Sequence, residues 1–81
     1  MSKIFRNSET KEIETFLSTS NKISTGLKNK ILEELYNKGQ RYKDSFIWLI
    51  SRNEALTIDV FNIKGEVFET DTFYYNDFPR M

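Results

Sequence analysis

At 81 residues and a formal net charge of zero, the chain is long enough for one small domain, expected over 1–81, and too short for two. It contains no cysteine and no histidine. This excludes disulfide staples, thiolate chemistry, zinc sites and the commonest general base near neutral pH. No run approaches the roughly 18 apolar residues of a bilayer span, and MSKIFRNSETKE lacks the apolar core of a signal peptide. A cytoplasmic setting without membrane contact is therefore expected.

A domain this small buries only about 60% of its unfolded surface. With no disulfide or metal available, the compensations are oligomerisation or an unusually aromatic core. The aromatic content of 15%, with seven Phe, four Tyr and one Trp, favours the second and leaves a homodimer compatible. Ile, Lys, Asn and Glu are common, while Ala and Pro occur once each. AT-rich coding produces that usage, which points toward a low-GC bacterium or one of its phages. The charges are unevenly spread: basic residues outnumber acidic ones through Asn53, and beyond it Glu54, Asp59, Glu66, Glu69, Asp71 and Asp77 face only Lys64 and Arg80.

SETKEIETFLS reads as a first helix, capped by Asn7 or Ser8, with Glu9 and Glu12 in the first turn. Ile13, Phe16 and Leu17 form its apolar stripe. After the polar connector STSNK comes a stronger helix over residues 24–38. Ser24 or Thr25 caps it, and Leu27, Ile31, Leu32, Leu35 and Tyr36 give it a broad apolar face. Lys28, Lys30, Glu33, Glu34 and Lys38 are assigned to its polar side, and Gly39 is read as its left-handed stop.

From Ser45 the pattern changes to strands. SFIWLIS is apolar at both parities, RNEA turns the chain, and LTIDVFNI follows. Lys64-Gly65 then makes a tight turn into EVFETDTFYY, and short KIF near the start supplies an edge strand. The expected fold is α+β: two N-terminal helices packed on a three- to four-stranded antiparallel meander.

Two-residue loops at Asn53-Glu54 and Lys64-Gly65 would fix the register. Leu49 then faces Ile58, Ile47 faces Val60, Phe46 and Phe68 both face Phe61, and Val60 faces Glu69. One sheet face becomes aliphatic, with Ile47, Leu49, Leu56, Ile58 and Val60. The other carries Phe46, Trp48, Ile50, Phe61 and Phe68, with Thr57, Asp59 and Thr70 among them. Helices rich in Ile and Leu suit the aliphatic face, which leaves the aromatic face needing an occupant. The tail TDTFYYNDFPRM competes for that place. Phe73 and one of Tyr74 and Tyr75 are expected in the core, with the other tyrosine, Phe78 and Arg80 available.

Catalytic machinery is not apparent. Gly26, Gly39 and Gly65 are too scattered for a phosphate loop, and Glu69 and Asp71 are an isolated carboxylate pair with nothing converging on them. No cofactor, metal or small-molecule substrate is expected, and the chain reads as a non-enzyme. What remains is binding. The first reading is a small regulator or inhibitor, phage- or mobile-element-encoded and directed at a host protein. It would grip its partner through Trp48, Phe61, Phe68, Glu69, Asp71, Tyr74, Tyr75, Phe78 and Arg80, residue types that recur in interface hot spots. A second is a nucleic-acid module stacking bases on the sheet aromatics while the helix-2 lysines track phosphates. A third is a structural homo-oligomer.

Overall fold

The computed structural model describes residues 2–78. The element order is β1 (Ser2–Arg6), α1 (Thr10–Ser18), α2 (Thr25–Arg41), β2 (Phe46–Ser51), β3 (Ala55–Phe61) and β4 (Val67–Tyr74), followed by one 3₁₀ turn (Tyr75–Asp77). The four strands form one antiparallel sheet in the order β1-β2-β3-β4. The two helices lie on one side of it, so the fold is α+β. No helix among the described residues is long and apolar enough to cross a membrane.

The core follows from alternation along the strands. Phe5, Ile47, Leu49, Leu56, Ile58 and Val60 point to one face and pack with Ile13, Leu17, Ile23, Leu27, Ile31 and Leu35 in a single buried cluster. The expected β2–β3 register holds throughout: Phe46 opposes Phe61, Ile47 opposes Val60 and Leu49 opposes Ile58. KIF forms the predicted edge strand and pairs with β2, where Ile4 opposes Trp48 and Phe5 opposes Ile47.

Four local expectations are corrected. First, the β3–β4 turn is longer than two residues. The Asn62 side-chain oxygen accepts from the N–H groups of Lys64 and Glu66, and Gly65 sits at φ +87. This turn places Val67 opposite Phe61 and creates an irregularity there, so Phe68 leaves the position facing Phe61 and stacks on Tyr42 at 4.7 Å between ring centroids.

Second, α1 begins at Thr10 with neither Asn7 nor Ser8 as its cap. Glu9 holds that place and turns its carboxylate backward to accept from the Arg6 N–H at 2.7 Å. Asn7 is used elsewhere: its side-chain amide donates to the Ser45 hydroxyl and the Tyr42 carbonyl. Third, Tyr36 stands exposed on α2 instead of joining its core stripe.

Fourth, α2 runs through Gly39 to Arg41, and the left-handed residue is Asp44 at φ +59. Gly39 serves a close approach. A Cβ there would meet the Asn7 amide nitrogen at 3.0 Å and its oxygen at 3.2 Å. Gly39→Ala should therefore lower the melting temperature of the native chain, although alanine gains up to about 1 kcal/mol in helix propensity. In an Asn7→Ala background the same change should raise it. A rise in both backgrounds would refute the packing role of Gly39.

Candidate partner-binding face

The outer side of the sheet is built by the residues that alternate with the core positions. The pairings align them in rows across the strands: Arg6, Phe46, Phe61 and Val67 in one, Ile4, Trp48, Asp59 and Thr70 in the next, Ser2, Ile50, Thr57 and Thr72 in a third. Ala55 and Tyr74 close the far end. No helix among the described residues covers this side. Ile4 is 52% exposed, Trp48 38%, Val67 55% and Tyr74 54%, with Phe46, Ile50 and Phe61 half-buried between them. Phe46 and Phe61 stack at 5.6 Å across the β2–β3 pair. Charge is sparse on this surface. Within the paired rows the charged residues are Arg6 and Asp59, and neither makes an ion pair among the described residues.

The opposite side holds two acidic residues of the C-terminal third. Glu69 pairs with Val60 and Asp71 with Ile58, so both face the helices. There they meet Lys38, a lysine only 1% exposed. Its Nζ lies 2.6 Å from Asp71 Oδ2, 3.6 Å from Glu34 Oε2 and 3.9 Å from Glu69 Oε1. Arg41 Nη2 adds a contact of 3.2 Å to Glu69 Oε2. The buried oxygens Glu69 Oε2 and Asp71 Oδ2 accept no hydrogen bond beyond these ion pairs. Burial pulls the Lys38 ammonium down, but its hydrogen bond to Asp71 and the charges of Asp71, Glu69 and Glu34 outweigh that and hold it above the usual lysine range. Three carboxylates thus converge on a point already filled by an ammonium.

The predicted contact residues therefore divide. Trp48, Phe61 and Tyr74 share the open face. Phe68 is stacked on Tyr42, and Glu69 and Asp71 are held by α2. Tyr75 packs against the core with its hydroxyl 3.0 Å from Ser51 Oγ. Phe78 packs against the core too, with its ring 6.4 Å from that of Phe73. Arg80 lies outside the described residues.

Sequence reasoning passed over three features. Ile4 and Val67 complete the apolar rows, and only the strand pairings reveal them. The charge of Lys38 assigns it to the solvent side of α2, whereas 27, 31, 35 and 38 form one buried helical stripe. Finally, Tyr36 and Ile63 flank a cleft of about 860 Å³ where α2 meets the start of β2, with Leu32 and Leu35 in its wall. Compared with models of known protein families, with curated proteins and with solved structures, the chain has no match.

Proposed function

We propose that the protein is a small, non-enzymatic, protein-binding regulator that engages its partner through the outer face of its sheet. One observation carries this reading. A four-stranded sheet is closed by helices on one side and presents Ile4, Trp48, Val67 and Tyr74 to solvent on the other. An apolar face depleted of charge and centred on a tryptophan has the composition of an interface core. The acidic third contributes less than its sequence suggested, because Glu69 and Asp71 are neutralised within the fold.

Base stacking on the same face fits the arrangement less well. Single-strand binders set cations beside their stacking rings, whereas α2 and its lysines lie on the far side of the sheet from Trp48. Lys30, Lys38 and Arg41 are moreover engaged in ion pairs.

The test uses the protein and a Trp48→Glu variant as paired baits in a lysate of the encoding organism, followed by hydroxyl-radical footprinting of the recovered complex. The expected result is a protein retained by the native chain and lost by the equally folded variant, with Trp48, Ile4 and Val67 protected. Retention unaffected by Trp48→Glu, or protection confined to the helical side, would overturn the reading.

A further inference from the structure

We propose that β4 pairs edge-to-edge with β4 of a second copy about a two-fold axis at Thr72, joining two sheets into one of eight strands. The inference is independent of the sheet-face reading, which survives if it fails.

The argument starts from which backbone groups each edge leaves open. In an antiparallel pair, hydrogen-bonded and non-hydrogen-bonded positions alternate. The Tyr75 N–H donates to the Glu54 carbonyl at 3.0 Å in the same register that sets Phe73 against Leu56 and Asp71 against Ile58. Odd-numbered residues from Glu69 to Tyr75 therefore bond inward to β3. Thr70, Thr72 and Tyr74 turn their N–H and C=O groups outward.

The other edge is treated differently. The Asn7 N–H donates to the Ser45 carbonyl, so Phe5 and Lys3 bond inward while Ser2, Ile4 and Arg6 face outward. At Arg6 that edge is already closed: Glu9 Oε1 accepts its N–H at 2.7 Å, and the Glu9 N–H donates to its carbonyl at 3.0 Å. Lys3 guards the short remainder. Natural sheets protect exposed edges with such caps, short strands, charges and prolines. β4 is the longest strand, at eight residues. Its irregularity is confined to the end near Phe61, and the Thr70–Tyr74 stretch contains no lysine, arginine or proline.

Self-pairing is the occupant that this edge fits, and its charges select the register. A two-fold at Asp71 would set Asp71 against its own copy, a like-charge opposition that destabilises a sheet. A two-fold at Thr72 instead sets Thr72 against Thr72, Asp71 against Phe73, and Thr70 against Tyr74. It uses all three outward-facing residues of each copy as hydrogen-bonded pairs. The Asp71 carboxylate stays with its own Lys38. The open face of each protomer continues into that of its mate, with the two Tyr74 rings on either side of the junction.

The experiment combines hydrodynamics with cysteine substitution, which is clean in a chain without native cysteine. The native chain should show a concentration-dependent dimer by sedimentation, weak because an edge pairing lies at the small end of interface sizes. Under mild oxidation, Thr72→Cys should form a disulfide dimer at least tenfold faster than Thr70→Cys or the α2 control Glu33→Cys, since only position 72 meets itself across the axis. Thr72→Pro removes an outward N–H without touching the β3 ladder. It should give a monomer with unchanged circular dichroism and melting temperature. A native chain that stays monomeric at half-millimolar concentration, equal cross-linking at 70 and 72, a dimer insensitive to Thr72→Pro, or a foreign strand found on this edge would each overturn the proposal.

Discussion

Replacing Lys38 with methionine should destabilise the protein by about 2–4 kcal/mol, a large share of the roughly 4–12 kcal/mol expected for a domain of this length. Methionine fills the volume, so the loss comes from the charges left behind. Asp71, Glu69 and Glu34 would face one another across an apolar site, with Arg41 and Lys30 the remaining paired cations among the described residues. The range lies below that for fully buried pairs because their side chains keep 39%, 26% and 27% exposure. Urea unfolding measures it, and Lys38→Met with Asp71→Leu should recover most of the loss. A single variant within about 0.5 kcal/mol of the native chain would show that the network carries no stability.

The same ammonium dictates an alkaline limb. Its folded-state pKa is raised, so its stabilisation is complete below the unfolded lysine value of about 10.4 and disappears as pH climbs through the higher folded value. Between about pH 9 and 12 the native chain should lose more stability than Lys38→Met, in which that proton is absent. Parallel curves would remove Lys38 as the cause.

The second large effect separates two neighbours on β2. Leu49 is fully buried among Ile58, Ile31 and the rest of the core cluster, and Leu49→Ala should cost about 2–5 kcal/mol. Trp48 is the larger residue but points to the open face, where truncation leaves a notch in the surface and no cavity. Trp48→Ala should cost about 1 kcal/mol while abolishing partner retention. Denaturant midpoints distinguish the two. Equal losses would mean that the outer face is a second core and would remove the basis for the proposed function.

Much of this architecture could be read from period and punctuation. SFIWLIS and LTIDVFNI are joined by a turn whose length fixes which residues oppose, so the aliphatic inner face followed directly. The structure departs from that pattern where a side chain replaces the backbone as the organiser. Asn62 drew Lys64 and Glu66 into its own turn and displaced Phe68 by one place. Glu9 did the same at the start of α1.

The end of α2 differs from its pattern for a related reason. Glycine is permissive of two things, a positive φ and a close neighbour, and only the position of Asn7 shows which one Gly39 supplies. The Lys38 network was hidden because its members come from elements with different periods. A lysine at a stripe position and two carboxylates on a strand face look unremarkable separately, and only packing α2 onto β4 joins them. The open face was half legible: Trp48 and Phe61 stood out by type, whereas Ile4 had no signal until β1 was paired.

The strand order has a kinetic consequence. β2, β3 and β4 are joined by short hairpins and need only local contacts to assemble. β1 must find β2 across an intervening segment of roughly forty residues that includes both helices. Closing so long a loop is the entropically costly step and is repaid only once Phe5 reaches the core. Loop entropy therefore favours late incorporation of β1, with Ile4 expected to reach its place beside Trp48 after the β2–β3–β4 hairpins have formed.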